Sequence, residues 1–132
     1  MTTELIALAW AVVLAFAHLF AAAGARNRET GLAYNAGNRD AEGPPVGVVT
    51  GRLKRAQANY YESLPLFIAA VLIASVAGRR NGLTGTGAWL FVWARAAYLP
   101  IYAVGIPYVR TLAWAAGVGG IALVLYGALY GA

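Results

Sequence analysis

The sequence predicts an all-α integral membrane protein, a four-transmembrane-helix bundle in which residues 1–132 form a single domain. Three observations carry this. The chain is 61% hydrophobic and only 11% charged, against roughly 45–50% and about 25% in soluble domains. Its mean hydropathy is +0.62. The apolar residues fall into long runs, each near the ~20 residues that cross a bilayer as a helix, and 132 residues hold four of these with short connections. An ordinary soluble domain, a disordered chain and a multi-domain enzyme are excluded.

The elements follow in order. Residues 5–25 are uncharged between Glu4 and Arg26 and form span 1. A cleaved secretory signal is the rival reading, but no basic residue precedes the run and the run is long for one. Residues 26–51 are polar and Gly-rich with a Pro44-Pro45 pair, and form a loop with room for local order. Span 2 covers 51–78, polar in its first third and apolar after it. Residues 79–86 form a short loop with two arginines. Span 3 covers 87–104, with Arg95 at its middle and Pro100 near its end; Pro65 and Pro100 are expected to kink their helices. Gly105-Ile106-Pro107 is a tight turn, and span 4 covers 108–130. Gly127 and Gly131 make a single GxxxG match, a weak signal on its own.

Orientation follows from counting. Loop 1 with the start of span 2 carries six Arg/Lys and the third loop carries Arg110, whereas the opposite side has Arg79 and Arg80. The positive-inside rule then places loops 1 and 3 in the cytoplasm and both termini outside. Nine arginines against one lysine, with abundant Ala and Gly, fit a GC-rich genome, so the expected location is a bacterial inner membrane.

Several chemistries are excluded. There is no cysteine, hence no disulfide, thiolate metal site or cysteine nucleophile. A lone histidine, His18, cannot supply a metal centre and reads as a packed or helix-bridging side chain. The net charge is +5, but no basic strip interleaved with exposed aromatics marks a nucleic-acid surface.

The informative residues are polar ones at bilayer depth, where each charge costs on the order of 3 kcal/mol. Arg52, Arg55, Asn59 and Glu62 follow i, i+3, i+7, i+10, a sector of about 80° on one helix face. Arg95, Tyr98 and Tyr102 follow i, i+3, i+7 and share a face of span 3. Glu62 is the only acid inside the spans, so a Glu62–Arg95 pair is the economical way to neutralise both. Arg52, Arg55 and Arg110 then remain as excess positive charge, suited to a small anionic, hydrogen-bonding ligand. Arg52, Lys54, Arg79 and Arg80 also read as membrane-border anchors. Trp89, Trp93, Trp114, Tyr126 and Tyr130 read mostly as interface aromatics.

The stretch RLKRAQANYYESLPLF, residues 52–67, resembles the signature of the MAPEG family, the membrane-associated proteins of eicosanoid and glutathione metabolism. Arg55, Ala56, Asn59, Glu62, Pro65 and Phe67 carry the pattern. WARAAYLPIYAVGIPYVRTLAW, residues 93–114, is similar to the family's passage from its third to its fourth helix. The resemblance implies a homotrimer of four-helix subunits surrounded by membrane lipid, with glutathione as co-substrate and a hydrophobic small molecule as its partner. It places Arg55, Asn59, Glu62, Tyr98 and Tyr102 around glutathione, with Arg95 deeper on the same face of span 3. It brings Gln57 from the neighbouring subunit, puts Arg26 near the site from the end of span 1, and makes Arg110 the residue that stabilises the thiolate. Ser63 stands where some leukotriene-forming relatives carry tyrosine. The expected function is a membrane-bound glutathione transferase or peroxidase acting on hydrophobic electrophiles. The alternatives are a non-catalytic lipid or fatty-acid binding protein of the same fold, or a structural membrane partner.

Overall fold

The computed structural model describes residues 1–41, 43 and 45–132, so Pro44 of the expected Pro-Pro turn lies outside the described residues. Four long helices run up and down, with one short helix between the first two: α1 Thr3–Thr30, α2 Leu32–Ala36, α3 Val48–Val76, α4 Gly82–Val104 and α5 Pro107–Tyr130. No strand occurs among the described residues. Three of the helices, α1, α3 and α5, are long and apolar enough to cross a membrane. α4 is also long, at 23 residues, and carries Arg95 at its middle and Pro100 near its end.

The outside of the bundle is apolar. Trp10, Phe16, Phe20, Trp93, Leu112 and Tyr126 are exposed. In water such a continuous apolar surface would be an aggregation liability; in lipid it faces its natural solvent. The inside is built from small residues and a short aromatic column. Ala7, Ala11, Ala70, Ala74 and Ala88 let the helices approach, and Tyr60, Phe67 and Phe91 fill the centre. The Phe67 and Phe91 rings stack at 4.1 Å. His18 is buried, donates through Nδ1 to the Leu14 carbonyl at 2.9 Å, and stacks on Tyr60 at 4.5 Å.

Gly87 and Gly120 bring α4 and α5 together. A Cβ on either would lie 2.6 Å from the other's carbonyl oxygen, so only glycine permits the backbones to touch there. α4 and α5 accordingly share the largest helix–helix interface.

Helix ends depart from the expected boundaries, each for a local reason. α1 runs past residue 25 to Thr30, because Arg26, Arg28 and Glu29 are good helix formers that need no apolar surroundings. A short cluster then ties α2 back: Thr30 Oγ1 donates to Asn35 Oδ1 at 2.6 Å, and Arg26 Nε to the same oxygen at 3.2 Å. α3 starts at Val48 and ends at Val76. α4 starts at Gly82, five residues before the expected boundary. Asn81 accepts from the Leu83 and Thr84 amides while Thr84 Oγ1 accepts from the Asn81 amide, and this capping box outweighs the loop-like LTGTG composition. Gly105, at φ 92°, ends α4, and Pro107 opens α5 at a position where a missing N–H costs nothing. Pro65 and Pro100 lie inside continuous helices.

Candidate functional site

The two ends of the bundle differ in how their polar groups are used. At the lower end, Arg79 Nε and Nη2 donate to the Ala128 and Leu129 carbonyls at 3.0 and 2.9 Å, and Asn81 Nδ2 donates to Gly127 O at 2.9 Å. The Arg79 bonds satisfy carbonyls that α5 leaves free at its C-terminus, while Asn81 is a second donor to Gly127 O, which also accepts from the Gly131 amide. Glu4 is buried there and accepts from Thr84 Oγ1 at 2.5 Å. Gly127 therefore serves α4–α5 packing within one chain, since a Cβ would touch Asn81, Leu83 and Thr84 at 3.0 Å.

At the upper end, α3, α4 and α5 enclose a cavity of about 310 Å³, walled by Arg55, Asn59, Tyr98, Tyr102, Arg110 and Trp114. Helix periodicity places these side chains. Arg55 and Asn59 are one turn apart on α3, as are Tyr98 and Tyr102 on α4 and Arg110 and Trp114 on α5. Arg55 Nε donates to the Tyr102 hydroxyl at 3.1 Å. The Arg110 guanidinium lies 4.5 Å from the Tyr102 ring centre and that of Arg55 5.9 Å from it, so one tyrosine stands between two cations. No carboxylate lines this cavity among the described residues.

Arg95 lies beneath the cavity and outside its wall. It is 1% exposed, and its Nη2 donates to Asn59 Oδ1 at 2.8 Å. Its guanidinium faces the Tyr98 ring at 4.1 Å and the Tyr60 ring at 5.5 Å. The expected Glu62–Arg95 pair does not form. Arg95 Nε and Nη1 have no hydrogen-bond partner and Glu62 is exposed. Two aromatic faces and one amide oxygen take the place of the counterion. Arg95 thus fixes Asn59 from below, leaving the amide of Asn59 to face the cavity wall.

A second, apolar cleft of about 370 Å³ adjoins the first between α3 and α5, lined by Ser63, Leu66, Val118, Ile121 and Leu125 with Glu62 among them. Asn59 and Trp114 belong to both walls. A polar chamber and an apolar cleft therefore meet at these two side chains. A third cavity of about 190 Å³ lies above the polar chamber and shares Arg55, Tyr102 and Arg110 with it.

Of the expected site residues, the structure brings Arg55, Asn59, Tyr98, Tyr102 and Arg110 together. It places Glu62 in the apolar cleft and Arg95 below the chamber. Gln57 donates to Tyr61 at 3.2 Å on the outer face of α3, and Arg26 joins the α1–α2 cluster; neither lines the polar chamber. Trp114 and Thr111 line it without having been expected there. The available signal was spacing, since Thr111 follows Arg110 directly and Trp114 lies one turn below it. Arg52, expected as a membrane-border anchor, donates through Nη1 to the Ala103 and Val104 carbonyls at 3.4 and 3.2 Å, closing the end of α4.

Comparison with known proteins adds one finding. The model of the MAPEG family matches residues 5–130, nearly the whole chain. No curated protein matches it.

Proposed function

The chain belongs to the MAPEG family, and we propose that it is a glutathione-dependent transferase or peroxidase working as a trimer of four-span subunits in a bacterial inner membrane, with loops 1 and 3 cytoplasmic and both termini outside. The observation that carries this reading is the junction of a cationic chamber and an apolar cleft at Asn59 and Trp114. A water-soluble thiol carrier and a lipid-soluble electrophile require such a meeting point.

In this reading Arg55 takes a glutathione carboxylate in its guanidinium fork. Asn59, locked by Arg95, and the Tyr98 and Tyr102 hydroxyls hold the peptide. Glu62, in the adjoining cleft one turn from Asn59, meets the glutathione ammonium group. Gln57 lies on the outer face of α3, from which it reaches a neighbouring subunit's ligand, and Arg26 approaches the site from the end of α1.

Arg110 acts on the sulfur. A free thiol has a pKa near ~8.5 and is mostly protonated at neutral pH; a fixed guanidinium favours the thiolate. Arginine keeps its own proton, so it stabilises charge and is not a base; the thiol proton leaves to water. The thiolate then attacks an electrophilic carbon presented from the apolar cleft. The C–S bond forms as the leaving group departs with its electron pair. With a hydroperoxide, the thiolate attacks the terminal oxygen and the O–O bond breaks, giving a glutathione sulfenic acid and, after proton uptake, the alcohol.

A thiolate difference-absorbance titration with glutathione on the purified, detergent-solubilised protein tests the reading, beside Arg110→Ala and Glu62→Gln. A saturable thiolate signal lost in Arg110→Ala supports it. No signal together with no calorimetric binding overturns it. That result would favour the lipid-binding alternative, which an almost wholly apolar groove of about 480 Å³ between α1 and α4, lined by Trp10, Leu14, Trp89 and Trp93, supports independently.

A further inference from the structure

The cavity above the polar chamber is lined by Arg52, Arg55, Tyr102, Gly105, Pro107 and Arg110. It holds three guanidinium groups in about 190 Å³, and no carboxylate lines it among the described residues. Three like charges around one small volume repel. An anion between them removes that cost.

Three further features point the same way. First, Arg52 is tied in place. Its Nη1 bonds to the last two carbonyls of α4, and among the described residues Nε and Nη2 have no hydrogen-bond partner. The guanidinium lies so close over Gly105 that a Cβ there would meet all of its outer atoms within 2.7 Å. A residue other than glycine at 105 would push the cation aside, besides straining a backbone at φ 92°. Second, α5 begins at this cavity with Pro107, and Ile106 supplies no side-chain cap. The free amides and positive dipole end of a 24-residue helix thus add to the same field. Third, the cavity occupies the outer level of the bundle. On each helix its residues lie nearer the chain turn than those of the polar chamber: Arg52 against Asn59, Gly105 against Tyr98, Pro107 against Trp114. Seven residues of helix span about 10 Å. The small cavity is therefore the vestibule of the chamber, at the depth where a spanning bundle meets lipid headgroups.

We propose that this vestibule binds a phosphate oxyanion through Arg52, Arg55 and Arg110, supplied either by the headgroup of an anionic lipid or by a free phosphate. Tetrahedral phosphate offers oxygens in several directions and accepts paired N–H bonds from guanidinium forks, which a single carboxylate cannot do for three arginines at once. The site stands on its own residues. Its consequence for glutathione rests on the function proposed above: a phosphate held by Arg55 and Arg110 draws on two cations the polar chamber also uses, and so weakens glutathione binding there.

The test omits glutathione, so that its failure is separable from failure of the glutathione reading. Inorganic phosphate is titrated into the detergent-solubilised protein at constant ionic strength and followed by ³¹P NMR line broadening. In parallel, protein in nanodiscs of phosphatidylglycerol and of phosphatidylcholine is released and weighed by native mass spectrometry. Saturable phosphate binding, or retention of phosphatidylglycerol over phosphatidylcholine, supports the site; the first identifies free phosphate as the source, the second the lipid. In either arm Arg52→Gln weakens binding about tenfold, the loss expected of one charged bidentate contact. Should Arg52→Gln fail to fold, phenylglyoxal modification of the wild-type protein replaces it, mapped by peptide mass spectrometry: phosphate or phosphatidylglycerol slows modification of Arg52. Binding in neither arm, or binding and Arg52 modification that do not depend on each other, overturns the proposal.

Discussion

Arg79 and Arg110 sit at opposite ends of the same bundle and do opposite things. Arg79 spends its donors on the carbonyls at the end of α5, with Asn81 beside it. Arg110 rests against the face of Tyr102, at the wall of a cavity without a carboxylate. Near the upper mouth Arg52 repeats the Arg79 role for α4, while Arg55 and Arg110 do not. The difference is one of reach. An arginine beside a helix C-terminus finds carbonyls and becomes a clasp. One beside a helix N-terminus finds amides of its own sign, and its charge stays available to an incoming ligand. α5 supplies both cases, with Arg110 in its first turn and the Arg79 clasp at its last.

Substitutions can break this contrast. The largest expected effect is from Arg110→Ala, which should lower kcat by about 10²–10³ with a small change in glutathione affinity, as for a group acting on developing charge. Steady-state kinetics beside calorimetric binding decides it, and equal loss of both would remove the thiolate role. Asn81→Ala at the lower end should do the reverse. It should cost about 1–2 kcal/mol of stability through the lost cap and the lost Gly127 bond, read as a lower thermal midpoint in detergent, and leave glutathione binding untouched. Asn59→Ala should weaken glutathione about tenfold without changing the protein's thermal midpoint by more than Asn81→Ala does. A larger stability loss would make Asn59 a support for Arg95 and not a ligand contact. The smallest effect belongs to Arg79→Gln, whose exposed bonds to two carbonyls should be worth roughly 1 kcal/mol or less. A large drop in activity from it would show that the two ends are not independent.

Much of the fold was legible because apolar runs of bilayer length have few other uses. The helix ends were not, since they depend on single side chains. The α4 start rests on Asn81 and Thr84 recognising each other, which the Gly/Thr composition around them disguises. α1 outlasts its apolar run because a helix does not stop where the lipid does. In the site, spacing alone gathered Arg55 and Asn59 on one face and Tyr98 and Tyr102 on another, and the structure converges them with Arg110. Charge arithmetic failed at Arg95. Pairing it with Glu62 assumed that only a carboxylate can offset a buried cation, whereas the electron-rich faces of Tyr60 and Tyr98 flank it. Trp114 was not expected at the cavity because tryptophan at a membrane border usually anchors, and only its turn relation to Arg110 marks it as a wall.

The contact between Gly87 and Gly120 has a mechanical consequence. Two backbones in van der Waals contact, with side chains interdigitated above and below, cannot slide or separate without opening the whole seam, so α4 and α5 move as one plank. Every cavity at the upper end has this plank as one jaw and α3 as the other. The width of these cavities is then governed by a single degree of freedom, the tilt of α3 against a fixed pair. A lengthened side chain at 87 or 120 would loosen the jaw and disturb the site without lining either cavity.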